Sequence, residues 1–136
     1  MKLRDRGKGG QGGAHSVDVA VLEPDPAVRA VLERALARWG LDTISSGDGT
    51  AGMAEIFAAG PRLWLLASDA GGERTGAMLE GIRKRMPDAP VLLLVGAMPD
   101  DFGIWRGRAT RLLVKPLDFG ALKCLVETHL GRDASG

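Results

Sequence analysis

The chain has 136 residues, of which 45% are hydrophobic and 26% charged, and its formal net charge is +1. This composition is typical of soluble globular proteins and argues against a disordered or fibrous chain. The length suits one domain with its own hydrophobic core and is short for two. Apolar runs such as residues 91–95 are far too short to cross a bilayer, so we expect a cytoplasmic protein without membrane insertion.

Cysteine and histidine usage excludes several kinds of site. The single cysteine, Cys124, cannot form an internal disulfide, and no Cys/His cluster has the spacing of metal ligands. We therefore expect neither a metal site nor a cofactor. Ser68 precedes Asp69, but neither histidine is placed to activate a serine nucleophile, so the sequence does not predict a hydrolase or any other enzyme.

The first sixteen residues differ from the rest of the chain. They are rich in glycine, contain almost no apolar side chains, and carry four cations against one acid. Such a segment cannot offset the entropy cost of becoming ordered. We predict a flexible basic leader over residues 1–16, one domain over 17–131 and a short tail over 132–136. The leader's cations have no aromatic neighbours, so no specific nucleic-acid binding is expected.

From residue 17 onward, short apolar runs alternate with helical periods, a pattern that indicates parallel strands wrapped by helices. The first strand is predicted over 17–22. A helix should follow, with Asp25 as its N-cap and Gly40 at its end. Apolar residues at three- and four-residue steps predict its buried face, which comprises Val28, Val31, Leu32, Ala35, Leu36 and Trp39.

The middle of the chain repeats this alternation. A weaker strand over 41–45 is followed by a helix that Asp48 can cap and that Gly60-Pro61 ends. The third strand, residues 63–67, is apolar at every position, as expected for a strand covered on both faces. A glycine-rich loop should separate it from a helix that begins near Thr75.

The last third predicts two more strands. The fourth covers 91–95 and is fully apolar, while 97–110 is irregular and predicts only a short fourth helix. The fifth strand covers 111–114. Asp118 then caps a last helix that ends at Gly131.

Five strands, each followed by a helix, predict one particular α/β architecture. Right-handed crossovers favour an open, doubly wound, flavodoxin-like (βα)₅ sheet with strand order 2-1-3-4-5. In such a sheet the functional crevice lies beyond the carboxyl ends of the strands, next to the first and third. The residues that this topology places there are Glu23, Pro24, Asp25, Ala67, Ser68, Asp69, Val95 and Lys115.

Four segments of the chain resemble the receiver domain of bacterial response regulators, over roughly residues 17 to 130. They read LEPDPAVR, PRLWLLA, PVLLLVGA and LLVKP. In that family an acidic pair binds Mg²⁺, an aspartate ending the third strand accepts phosphate, a hydroxyl ending the fourth responds to it, and a lysine pairs with it. The resemblance implies a role in two-component signalling and a cis peptide bond between Lys115 and Pro116.

The residues that carry the family's chemistry are mostly replaced here. Carried over position by position, the acidic pair falls on Glu23 and Pro24, the phosphate acceptor on Ala67, the hydroxyl on Val95 and the lysine on Lys115. Ala67 has no nucleophilic oxygen, and Pro24 has no carboxylate for a divalent ion. The sequence therefore predicts a pseudo-receiver, a domain that acts as an adaptor or scaffold without an aspartyl phosphate.

Two alternatives remain open at this pocket. Asp69 lies two residues beyond Ala67 and would point to the same side if the strand continued, which would allow an atypical phosphate-accepting receiver. Alternatively, the vacated pocket with Lys115 at its rim could hold an anionic small molecule. In a pseudo-receiver we expect Lys115 to form an ion pair with Glu23, Asp25 or Asp69, because a buried ammonium needs such a partner.

A second group of residues is a candidate protein interface, since aromatic and arginine side chains are the usual anchors of such surfaces. It comprises Phe102, Trp105, Arg106, Arg108 and Arg111. The expected partner is a protein of a signalling pathway, with a homodimer through the fourth helix, fifth strand and last helix as one arrangement. The alternative is that Trp105 packs on Phe102 and the arginines are only solvated.

Overall fold

The computed structural model describes residues 17–47, 52–68, 72–96 and 109–131. Strands and helices alternate as far as the fourth strand, and the short helix predicted within residues 97–110 falls on positions outside the described residues apart from 109 and 110. We number the elements in chain order. They are β1 (Val19–Leu22), α1 (Pro26–Arg38), β2 (Thr43–Ser46), α2 (Met53–Ala59), β3 (Leu63–Ser68), α3 (Gly72–Arg85), β4 (Val91–Val95), β5 (Arg111–Val114) and α4 (Phe119–Leu130).

The strands form one five-stranded parallel sheet in the order β2-β1-β3-β4-β5. In strand numbers this is 2-1-3-4-5, so the predicted flavodoxin-like α/β fold is confirmed. β1 aligns Leu22 with Leu66 of β3, and β3 aligns Ala67 with Leu94 of β4. The carboxyl ends of the three central strands therefore meet at one edge of the sheet.

Two hydrophobic layers cover the two faces of the sheet, because side chains of each strand alternate between them. One layer packs α1 and α4 on alternate strand residues such as Val21 and Leu65. The other packs α2 and α3 on the intervening residues, such as Leu22 and Leu66. Every residue of β1 and β4 is buried, as expected for parallel strands covered on both faces.

Aspartates begin the first and last helices, as the sequence predicts. The carboxylate of Asp25 accepts hydrogen bonds from the N–H groups of Ala27 and Val28, at 2.9 and 3.4 Å. The carboxylate of Asp118 accepts hydrogen bonds from the N–H groups of Gly120 and Ala121 in α4, at 2.9 and 3.1 Å. Satisfying these otherwise unpaired donors fixes where each helix starts, immediately after the carboxyl end of a strand.

Several predicted boundaries differ from the structure. The first strand, β1, begins at Val19 rather than at residue 17. β2 begins at Thr43 rather than at Leu41, because the Leu41 N–H bonds to the Leu36 carbonyl and so closes the end of α1. α2 begins after Gly52, which makes no side-chain cap, while Asp48 lies outside the described residues. α3 begins at Gly72, ahead of the predicted start near Thr75, because glycine gives no helical signal in a sequence.

One predicted core residue is on the surface instead. Val31 was expected on the buried face of α1, but it is 46% exposed, whereas Leu32 and Leu36 are buried. The apolar stripe of α1 is wider than the part of α1 that packs on the sheet. Val31, at the border of that stripe, therefore stays exposed. Within the described ranges, no helix is long and apolar enough to cross a membrane.

Arg62 is predicted to stabilise the edge of the domain opposite the site. Its guanidinium donates to the Leu130 carbonyl at 2.9 Å and contacts the Asp18 carboxylate at 3.5 Å, which ties the end of α4 to the start of β1. Arg62→Met should lower the free energy of unfolding by about 1 kcal/mol, because this side chain is half exposed. Urea denaturation measures the change. Lys84→Met, an exposed position on α3, is the control and should change stability by less than about 0.5 kcal/mol; equal effects would contradict the role of Arg62.

Candidate functional site

The predicted pocket residues converge where the topology places them. Glu23 directly follows β1, Ala67 lies near the end of β3, Val95 ends β4 and Lys115 directly follows β5. The register pairs Leu22, which precedes Glu23, with Leu66, which precedes Ala67. The Lys115 N–H donates to the Val95 carbonyl at 2.7 Å, which attaches the loop after β5 to the end of β4.

An ion pair between Lys115 and Glu23 joins the two ends of this pocket. The Lys115 Nζ lies 3.0 Å from the Glu23 Oε1, across 92 positions of sequence. The Glu23 side chain is 1% exposed and that of Lys115 is 23% exposed. A carboxylate buried to this degree requires compensation for its lost hydration, and the ammonium supplies it. The expectation of a carboxylate partner for Lys115 agrees with this geometry.

Glu23 has further partners that fix it in place. Its Oε2 accepts a hydrogen bond from the Asp25 N–H at 3.0 Å. Its backbone carbonyl accepts one from the Arg29 Nη1 at 2.8 Å. Both carboxylate oxygens therefore have partners inside the protein. Arg29 was not among the residues predicted to be functional; its only signal in the sequence is its position one turn into α1, within the motif LEPDPAVR.

Two of the predicted pocket residues, Ala67 and Val95, have buried apolar side chains. Ala67 is 5% exposed and faces the layer of α1 and α4, while Val95 is 3% exposed and faces the layer of α2 and α3. A buried methyl group cannot attack phosphorus, and an isopropyl group cannot bond a phosphoryl oxygen.

Among the other predicted pocket residues, neither Pro24 nor Asp25 offers a free carboxylate to a metal ion. Pro24 is exposed and has no carboxylate, and the exposed Asp25 uses its carboxylate to cap α1. Ser68 ends β3, while Asp69 lies outside the described residues. The Lys115–Pro116 peptide bond is cis, in agreement with the expectation from the sequence.

A receiver-type fold implies Mg²⁺ at this edge, so the donor set can be compared with that ion. Mg²⁺ prefers octahedral oxygen ligands, usually with one or two carboxylates. In the described part of the chain, no group of three or more His, Cys, Asp or Glu residues could hold a metal. Glu23, the one acid that is buried among residues 17–47, 52–67, 75–96 and 109–131, is paired with Lys115. The described donors do not fit Mg²⁺.

The candidate interface is only partly described. Arg111 is exposed at the start of β5, on the edge strand of the sheet. Phe102, Trp105, Arg106 and Arg108 lie outside the described residues.

The ion pair is predicted to couple Lys115 and Glu23 energetically. Lys115→Met should lower the free energy of unfolding by about 1–2 kcal/mol, because it leaves a buried carboxylate without its cation. Glu23→Gln alone should also destabilise the fold. In a double-mutant cycle measured by urea denaturation, the pair should then show a coupling energy of about 1 kcal/mol.

The exposed pair of Lys123 and Glu127, 3.9 Å apart on α4, is the matched control for this cycle. Its coupling energy should be at most about 0.5 kcal/mol. Additive effects of the Lys115 and Glu23 substitutions would show that the contact does not stabilise the domain.

No family model matches this chain, and no curated protein matches it either. Similar solved structures are numerous. The receiver domain of nitrogen regulatory protein C is 29% identical over 85% of this chain and 94% of that chain, with a TM-score of 0.74. The receiver domain of NtrX from Brucella abortus is 25% identical over 85% of this chain and 100% of that chain, with a TM-score of 0.73.

A third similar structure is the response regulator TrrA from Thermotoga maritima, solved in complex with Mg²⁺ and beryllofluoride. It is 23% identical over 83% of this chain and 98% of that chain, with a TM-score of 0.71. In each comparison nearly the whole receiver domain is matched. These comparisons show that the chain has the fold of response regulator receiver domains.

Proposed function

We propose that this chain is a pseudo-receiver, a receiver-like signalling domain of two-component type that acts by protein contact and without phosphorylation. In this role it is an adaptor or scaffold and not an enzyme. The ion pair between Lys115 and Glu23, beside the buried methyl group of Ala67, is the observation that carries the proposal.

The electrostatics of the pocket support this reading. In the receiver family the lysine pairs with the phosphate-accepting aspartate, and in this chain Ala67 replaces that acid. Glu23 provides the compensating charge instead, at 3.0 Å from the Lys115 ammonium. The charge of the lysine is thus already balanced in the resting protein. A phosphoryl group is not needed to neutralise it.

The described pocket lacks a group that could respond to a phosphoryl oxygen, and we therefore expect the domain to keep a single conformation. A ligand shifts a conformational equilibrium only as far as it binds the two states with different free energies. Val95 has no hydroxyl that could bond a phosphoryl oxygen, and Glu23 is held by Lys115 and the Asp25 N–H. A partner would therefore recognise a fixed surface of the domain.

Similar proteins with bound beryllofluoride provide a useful contrast. TrrA was solved with Mg²⁺ and beryllofluoride, and the receiver domain of RstA from Klebsiella pneumoniae was solved as a beryllofluoride-activated domain. The described pocket of this chain has neither an aspartate at position 67 nor a second acid at position 24. We expect it to differ from those domains in this chemistry.

Acetyl phosphate with Mg²⁺ should leave the mass of the intact protein unchanged. The physical reason is that Ala67 has no nucleophilic oxygen and Pro24 no metal-binding carboxylate. Intact-mass spectrometry under acid conditions, which preserve acyl phosphates, measures the result. The RstA receiver domain, incubated in parallel, is the positive control.

The Asp69→Ala variant separates this proposal from the atypical receiver. Stoichiometric labelling that disappears in Asp69→Ala, with the fold intact, would replace the pseudo-receiver by a phosphate-accepting switch. An anion that binds the unlabelled protein and is lost in Lys115→Met would instead favour the small-molecule pocket.

A further inference from the structure

Helix α3 has a weak sequence for a helix that covers the sheet. Its 14 residues read GERTGAMLEGIRKR, with glycine at the first position and again at positions 76 and 81. The helix α1, which covers the opposite face over a similar length, contains no glycine. Each interior glycine lowers the equilibrium constant for helix formation about fivefold relative to alanine, because glycine loses more backbone entropy on folding.

No close contact requires glycine at positions 76 and 81. A Cβ atom built on either residue would meet no atom within 4 Å, apart from its chain neighbours and the backbone of its own helix. Neither Gly76 nor Gly81 has the positive φ angle at which other residues are strained. Packing and backbone geometry therefore leave both glycines as an uncompensated loss of helix stability.

The last turn of α3 is held firmly. The Arg83 guanidinium donates to the carbonyls of Pro87 and Ala89, at 2.9 and 2.8 Å. Arg85 lies over the ring of Phe57 in α2, with its guanidinium carbon 4.3 Å from the ring centroid. Basic residues in a last turn also interact favourably with the helix dipole. This end of α3 is thus anchored to α2 and to the loop that leads into β4.

Both interior glycines lie ahead of this anchored turn, in residues 72–81. Because α3 follows β3 and leads back to the start of β4, its first turns lie at the carboxyl edge of the sheet. Leu79 is fully buried there and belongs to the same hydrophobic layer as Leu66 and Val95. Movement of residues 72–81 would therefore expose apolar side chains at the edge that carries the pocket.

From these observations we propose that residues 72–81 form a cover that opens by local unfolding while the last turn of α3 stays anchored. The open form is a minor state of the folded protein, and it exposes the apolar layer around Leu66 and Val95. Segments of low helix stability open at a lower free energy than the whole domain does. The glycines at 76 and 81 set that free energy.

This conformational device goes beyond the proposed function, because it concerns α3 and not the ion pair. Glu23 and Lys115 directly follow β1 and β5, so the pocket keeps its contacts when α3 opens. The two claims can fail separately. The mass measurement with acetyl phosphate tests phosphorylation, whereas the opening of α3 is measured without any phosphodonor.

Native-state hydrogen exchange of the full chain, followed by NMR at low concentrations of urea, tests the proposal. The protection factor of the Leu79 amide should be at least about tenfold lower than that of Leu93 in β4. Its exchange should also depend less on urea, because a local opening exposes less surface than global unfolding.

Alanine at the two glycine positions should keep the cover closed. Gly76→Ala combined with Gly81→Ala should raise the protection factor of Leu79 by about fivefold or more, because alanine favours the helix where its Cβ has room. Gly96→Ala is the matched control, since its Cβ also has room but the residue follows β4. It should leave the protection factor of Leu79 within about twofold.

Thiol labelling measures whether the opening uncovers the buried layer. Cys124→Ala first removes the exposed natural thiol. In that background, Leu79→Cys should react with a small thiol reagent at least about tenfold faster than Leu32→Cys in α1. Leu79 and Leu32 are 0% and 1% exposed in the closed fold, so the reagent needs an opening to reach either position. Circular dichroism checks that both variants are folded.

Three results would overturn the proposal. One is a Leu79 amide with the protection factor and urea dependence of Leu93, because α3 would then open only with the whole domain. Another is a protection factor of Leu79 that the two alanines leave unchanged. The third is equal labelling of Leu79→Cys and Leu32→Cys.

Discussion

The architecture depends on burying a parallel sheet on both faces. The central strands β1 and β4 have no exposed residue, so each face needs a covering layer of helices. The right-handed connections that place α1 and α4 on one face also bring the carboxyl ends of the strands to one edge. The candidate site lies at that edge.

At this edge, the proposed pseudo-receiver has an ion pair between Lys115 and Glu23 in place of the chemistry that receiver domains support. Lys115 directly follows β5 and is attached to the end of β4 through the Val95 carbonyl, and its charge must be compensated. Glu23 provides that compensation and is itself fixed by the Asp25 N–H and, through its carbonyl, by Arg29. Because the Glu23 carboxylate is paired with Lys115, it is not free to bind a divalent ion.

The carboxyl end of β5 also leads to an uncovered groove between α1 and the start of α4. The loop that carries Lys115 continues through Pro116 and Leu117 into α4, which begins with Phe119. Because Asp118 caps α4 at that point, Phe119 projects beside Val31 of α1 instead of into the core. The loop after β5 therefore contributes Lys115 to the pocket and Pro116 and Leu117 to the groove.

The sequence predicted the fold well because its strongest signals are periodic. Fully apolar strands such as 91–95 and aspartate caps such as Asp25 can be recognised locally, and the structure confirms both. Boundaries were less predictable where backbone hydrogen bonds decide them, as when Leu41 closes α1 instead of starting β2.

The pocket residues were predictable from the resemblance, but their choice of partners was not. Three acids were candidates for Lys115, and only the three-dimensional contacts select Glu23. Val31 was assigned to the core because periodicity shows which side of a helix is apolar, and not how much of that side the sheet covers.

The central claim is that this pocket has exchanged a phosphorylation site for an internal ion pair. The most direct test is a titration of the ¹⁵N-labelled protein with Mg²⁺ and beryllofluoride, followed by the amide signals of Glu23, Ala67 and Lys115 in two-dimensional NMR spectra. The account predicts that these signals do not move beyond the change caused by Mg²⁺ at exposed acids. Saturable shifts at all three residues, dependent on both Mg²⁺ and beryllofluoride, would contradict it.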